Sequence, residues 1–284
     1  MKADIEIFHH DKWHHAATFT LMGENAWERG YRAPGMLAYE VEYAASYSNH
    51  AAISAVSVNY PVDYALIKTQ AWPAFLLDLI PSGAGRRAIL NFLNQPDQGP
   101  RSDWQLLLQG AGNPPGNLRI KQAGELLQYE KHPGFDKTEI IERAEMFIEY
   151  AHGHGAPVSG STGAQGDAPK FLLVRDAKNH WHADGVLPDS QALQHFIVKF
   201  PRGHLDSDKA VLRNEAAYYR VAKMAGLRVH ALPEFIDNTL FIPRFDRKST
   251  HKKVIRYGQE SLCSVAGVSD FGQAIAMEIL CESF

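Results

Sequence analysis

The sequence predicts an α+β protein of two units. Residues 1–152 form an N-terminal unit of strands followed by helices, and residues 153–284 a second unit built as an antiparallel sheet with one large helix. Three observations lead there. A chain of 284 residues is longer than the roughly 250 at which a single core usually divides. Its apolar pattern turns from strand-like to helical near Trp72 and becomes strand-like again after Pro169. Between the two patterned stretches lies a segment rich in glycine and small residues, 153–169, which is either a linker or a ligand-binding loop.

The elements follow in order. Residues 4–8, 16–21 and 51–58 have the β-branched and aromatic content of strands. Pro73 suits the first turn of a helix over 73–80, and the run Pro81-Ser-Gly-Ala-Gly85 interrupts it before 86–92 resume an apolar period. Residues 94–101 are a Pro/Gly/Asn loop, after which Ser102 can cap a helix through Trp104 to Gln109. A breaker cluster over 110–116 leads into the short run Asn117-Leu-Arg-Ile120. In residues 136–152, Ile140, Ile141, Ala144, Phe147, Ile148 and Ala151 recur at helical spacing, predicting an amphipathic helix that ends the first unit.

In the second unit, residues 170–174 and 180–183 flank the turn 176–179 and predict a hairpin. Residues 196–200 read as a buried strand with Lys199 inside it. Ser207 or Asp208 can cap a long helix reaching Ala225, with Gly226 as its C-cap. Residues 239–245 predict a further strand and 271–281 a last helix.

Composition excludes several classes. With 29 Lys+Arg against 32 Asp+Glu and a net charge of -3, the chain lacks the basic excess of a protein that coats nucleic acid or a membrane surface. Cys263 and Cys281 are the only thiols, which points to a reducing compartment. The start Met1-Lys-Ala-Asp-Ile-Glu-Ile has no signal-peptide core, and no window approaches a membrane span. A cytoplasmic location is expected.

A glycine-rich loop, a strand hairpin, a lysine in an apolar strand (Lys199) and a carboxylate on the following helix (Glu215) is the order of parts in a kinase-type nucleotide lobe. Small residues let backbone N–H groups approach phosphates. The lysine neutralises phosphate charge, and the carboxylate fixes that lysine through an ion pair. Each part taken singly also has an ordinary structural reading: a lysine that snorkels to solvent, a solvated helix glutamate, a flexible connector.

The wording of six segments is more specific. Phe75-Leu-Leu-Asp-Leu-Ile-Pro-Ser-Gly-Ala-Gly-Arg-Arg87, Gly116-Asn-Leu-Arg-Ile120, Gly163-Ala-Gln165 leading to Pro169-Lys170, Phe196-Ile-Val-Lys-Phe-Pro201, Asn214 to Leu227, and Arg244-Phe-Asp-Arg247 occur in the order found in the HipA family. The chain resembles a HipA-type toxin kinase over nearly its whole length. The resemblance implies a serine/threonine kinase of a type II toxin–antitoxin system that uses ATP and Mg2+ and pairs with a HipB-like antitoxin, with no direct nucleic-acid or membrane binding expected. By position it assigns ATP-binding roles to Ser161, Thr162, Gly163, Ala164, Gln165, Lys170, Lys199, Glu215, Arg244 and Phe245, the last two at the hinge near the adenine. Ser159 and Ser161 become the candidates for autophosphorylation. Gly166-Asp167-Ala168 is inserted relative to the commonest form of the loop, which leaves the role of Lys170 open.

A phosphotransferase also needs a catalytic-loop aspartate, a nearby asparagine and a second aspartate for Mg2+. Asp270-Phe-Gly272 is spelled like the metal motif, but only about 25 residues separate it from Arg244, too few for the helices that must intervene. Asp246 is followed by no asparagine at the expected interval. No catalytic or metal residue is therefore assigned, and the chain is expected to be truncated or split before its helical lobe and inactive alone. The alternative is a non-enzymatic interaction protein that binds an antitoxin or a separate catalytic chain. His9, His10, His14 and His15 invite a metal reading, but no cysteine or carboxylate completes a familiar spacing, and a solvated hairpin tip accounts for them. His152-Gly-His154 and His180-Trp-His182 carry no stronger signal.

Overall fold

The computed structural model describes residues 1–48, 52–127, 133–143, 146–147, 150–151, 169–250, 253–270, 273 and 275–282. They fall into two units, one holding Met1–Leu127 with the described residues from Gly258 onward, the other holding those from Pro133 to Tyr257. The first opens with β1 (Lys2–His9) and β2 (Lys12–Leu21). His10 and Asp11 between them both adopt positive φ, 49° and 63°, the backbone that a two-residue hairpin requires. There follow β3 (Gly35–Tyr39), α1 (Val41–Tyr47), β4 (Ile67–Thr69), α2 (Ala74–Leu79), α3 (Gly83–Phe92), α4 (Asp103–Gly110), β5 (Leu118–Ile120) and α5 (Lys121–Glu125). The sheet is antiparallel in the order β4-β3-β2-β1-β5. Strand alternation puts Ala3, Ile5 and Ile7 on the inner face with Phe19 and Leu37, where Trp72, Leu76, Trp104 and Leu107 from the helical half complete the core.

The second unit continues with α6 (Lys137–Ile141), β6 (Lys170–Arg175), β7 (Trp181–Ala183), β8 (Gln194–Lys199), α7 (Asp206–Met224), β9 (Glu234–Ile236) and β10 (Thr239–Pro243), then the two-stranded pair β11 (Arg247–Ser249) and β12 (Val254–Arg256). The five-stranded sheet is antiparallel in the order β7-β6-β8-β10-β9. One face packs Phe171, Leu173, Trp181, Phe196, Val198 and Phe241 against Phe135, Ile140 and Phe147. Leu212 and Ala216 of α7 cover the other face over Leu240 and Ile242. The expected α+β class and the sheet with one large helix are present.

After Gly258 the chain rejoins the first unit through α8 (Leu262–Val265) and α9 (Met277–Glu282). Asp78 of α2 accepts hydrogen bonds from Ser261 N (2.8 Å) and Oγ (2.9 Å), while Glu260 accepts from Ser57 Oγ (2.7 Å), Val58 N (3.0 Å) and Ser264 Oγ (2.5 Å). The expected boundary at residue 152 does not coincide with this division: the helical residues around Phe147 pack in the second unit, and the chain from Gly258 packs in the first.

Several local expectations differ from the structure. Among the described residues of the strand expected over 51–58, 52–58 form none; Ala52–Ser54 is a 3-10 turn, held where the buried Tyr39 and Tyr43 hydroxyls engage Val56 N and Ser54 O. The helix expected over 136–152 stops after Ile141 because Arg143 takes φ 55°, and residues 146–147 and 150–151 are helical again. It does start where expected, and there Asp136 and Glu139 form a capping box. Ser102 does not cap α4; its hydroxyl instead accepts from Gln98 N. The last helix begins only at Met277. Among the described residues no helix is long and apolar enough to cross a membrane.

Candidate functional site

Lys199 ends β8, where the register sets it opposite Leu240 on β10 and Lys170 on β6. Two lysines directly opposite on neighbouring strands repel one another unless negative charge is supplied. Part of it comes from α7. Leu212 and Ala216, one turn apart, turn one side of that helix onto the sheet. Glu215 then faces the strand, and Lys199 Nζ donates to Glu215 Oε1 at 2.5 Å. The pair is half-buried, at 19% and 28% side-chain exposure. Burial, and then the Glu215 charge, push the neighbouring Tyr219 hydroxyl up.

Arg244, expected beside a nucleotide, is instead wholly buried. Its Nε and Nη2 donate to the two oxygens of Asp246 at 2.8 and 2.5 Å, and Nη1 donates to Asp184 Oδ2 at 2.5 Å. His195 Nδ1 donates to the other Asp184 oxygen at 2.8 Å, and Arg247 Nη1 to Asp246 Oδ2 at 2.7 Å. Burial opposes ionisation of Asp184, yet His195 and Arg244 outweigh it and hold the carboxyl well below its usual range. Burial and the adjacent Arg244 bring Arg247 down to about 9. The Arg244 guanidinium therefore braces the end of β10, and the turn it makes with Asp246 leaves the ring of Phe245 exposed. Sequence reasoning used Arg244-Phe-Asp-Arg247 as wording and missed this network, since Asp184 and His195 come from distant parts of the chain.

Ser159, Ser161, Thr162, Gly163, Ala164 and Gln165 lie outside the described residues. Asp270 sits in a bend of the first unit, where its carboxylate accepts from the Tyr31 hydroxyl and from Arg32 Nη2. That placement agrees with a turn residue; Phe271 and Gly272 lie outside the described residues. His9 and His14 do lie at a hairpin tip, stacked 4.0 Å apart, and burial followed by the charge of His14 lowers His9 to about 4. Among the described residues no group of three His, Cys, Asp or Glu side chains is arranged to hold a metal ion. A cavity of ≈ 840 Å³ beside the β6–β7 turn is lined by Asp176, His180, His182 and Ser249, at the opposite end of β6 from Lys170.

Residues 162–281 match the family model of the HipA-like C-terminal domain. Among solved structures, the chain is similar to one in the complex of HipA, HipB and operator DNA from the toxin–antitoxin system of Shewanella oneidensis MR-1, with a TM-score of 0.57 and 20% identity. The match covers 93% of this chain and 56% of that one, so this chain spans about half the length of its structural relative. At that identity the likeness concerns the fold. No curated protein matches the chain.

Proposed function

We propose, from the premise that this is a HipA-like chain, that its second unit is the nucleotide-handling part of an ATP-dependent serine/threonine kinase of a toxin–antitoxin system. The observation that carries the reading is the Lys199–Glu215 ion pair between an apolar strand and the helix that follows it. A half-buried lysine tied to a helix carboxylate is held in one place, so its ammonium is preorganised for an anionic group. Lys199 would contact phosphate oxygens with Lys170 beside it on β6, and Glu215 would orient Lys199. The backbone after β10 and the exposed Phe245 would meet the adenine, while the Ser161–Gln165 loop would offer backbone N–H groups to the phosphates and Ser159 or Ser161 a hydroxyl for autophosphorylation. Bound ATP with Mg2+ supplies the γ-phosphoryl group and its charge neutralisation. The residues that would orient an acceptor hydroxyl have no counterpart in the sequence after Arg244. The chain alone is therefore expected to bind nucleotide weakly and to transfer phosphate poorly. A HipB-like antitoxin is the proposed partner, by analogy with the complex that contains the structural relative.

The test is titration of the full chain with a fluorescent ATP analogue and Mg2+. Lys199→Met should abolish binding and Glu215→Gln weaken it, both with unchanged circular dichroism. Wild-type binding by Lys199→Met would overturn the phosphate-handling role. Phosphoryl transfer by the chain alone at an ordinary kinase rate, about 1–100 per second, would overturn its proposed weakness. Tight partner binding with no nucleotide effect would instead favour the non-enzymatic reading, for which an exposed apolar helix face in this unit speaks.

A further inference from the structure

Helix α7 is apolar on two sides. Leu212 and Ala216 bury against the sheet, yet Val211, Tyr218, Val221 and Met224 stand 64%, 68%, 59% and 88% exposed. At about 100° per residue these four span roughly 140° of the helix circumference and about 20 Å of its length. Between Val211 and Met224 the strip is interrupted by one polar side chain, the exposed Asn214. Glu215 borders this strip on one edge and Arg213 and Arg220 on the other. Glu215 is the only carboxylate between Lys209 and Pro233, and it is paired with Lys199. Arg213 and Arg220 are exposed and take part in no ion pair among the described residues. An apolar strip edged with unanswered cations, in a chain whose net charge is -3, is not general solubilising charge.

We propose that the outer side of α7 is a docking surface for an acidic amphipathic helix of another protein, with apolar side chains along the Val211–Met224 strip and carboxylates against Arg213 and Arg220. A strip of this length suits a helix crossing α7 at the usual separation of about 8–10 Å. Charge complementarity fixes the sign of the partner, and it disfavours an antiparallel isologous pairing of two copies, which would bring their arginines together. The surface rests on the residues of α7 and is independent of whether Lys199 meets a nucleotide.

The test uses the full chain and two labelled model helices, one with a leucine face edged by glutamates and its twin with lysines in their place, read by fluorescence anisotropy. The glutamate helix should bind and the lysine helix should not. Arg213→Glu with Arg220→Glu should weaken binding by about tenfold or more, and Val221→Asp should do the same; both sites are exposed, so circular dichroism should stay unchanged. Hydrogen exchange should show new protection over the outer side of α7. Equal binding of both helices, protection elsewhere, or insensitivity to these substitutions would overturn the proposal. So would concentration-dependent self-association abolished by Val221→Asp, which would assign the strip to a second copy.

Discussion

Replacing Asp78 with asparagine should change how the first unit responds to pH. Asp78 lies on α2 beneath the start of α8, and burial, only partly offset by its bonds from Ser261, raises its pKa from 3.8 to about 7. Because the folded unit holds this proton more tightly than the unfolded chain, the stabilisation is complete below the ordinary carboxylate pKa and is lost as pH rises through about 7. A shift of about three units corresponds to about 4 kcal/mol, spread over roughly pH 4 to 8. Asp78→Asn cannot ionise and keeps one acceptor for Ser261, so it should lose about 1 kcal/mol at acid pH and none of the further 4. Its stability should exceed that of wild type above neutrality. The assay is urea unfolding at a series of pH values, followed by tryptophan fluorescence in a Trp181→Phe background, which leaves Trp13, Trp27, Trp72 and Trp104, all in the first unit. Stability curves for wild type and Asp78→Asn that run parallel across this pH range would refute the argument.

Two further outcomes follow from the second unit, both readable through Trp181 in its core. Arg244→Leu strands Asp184 and Asp246 without their shared cation and should cost about 3–5 kcal/mol; wild-type stability would show the network to be unnecessary. Gly134 has φ 92°, and an added Cβ would lie 2.6 Å from His180 Cβ and 2.7 Å from His182 Cε1. Gly134→Ala should therefore destabilise the unit by about 1–3 kcal/mol, and a neutral result would mean that the backbone at Gly134 yields easily.

Much of the second unit was legible because its signals are local. The apolar strand over 196–200 and the long helix closed by Gly226 place Lys199 and Glu215 on facing elements, and the structure joins them in one ion pair. The hairpin of β6 and β7 was equally readable from its turn residues, where Asn179 takes φ 66°. Strands β3 and β4 carry weaker local signals, since five- and three-residue runs gain their stability from the sheet they join rather than from their own pattern. The stop after Ile141 was hidden for a related reason: the helical period of residues 136–152 runs through Arg143, and nothing in that arginine itself announces a positive φ.

By itself the sequence determined the α+β class and the apolar strand and long helix that carry Lys199 and Glu215, because each depends on periodicity and capping within a few residues. Only the tertiary structure decided that Arg244 is a buried brace and not a surface cation, since its partner Asp184 lies 60 residues away. It alone decided that the chain beyond Gly258 belongs to the first unit, through Asp78 and Ser261, 183 residues apart. Contacts at such separations leave no period in the chain; they arise when whole elements pack and buried polar groups must find partners.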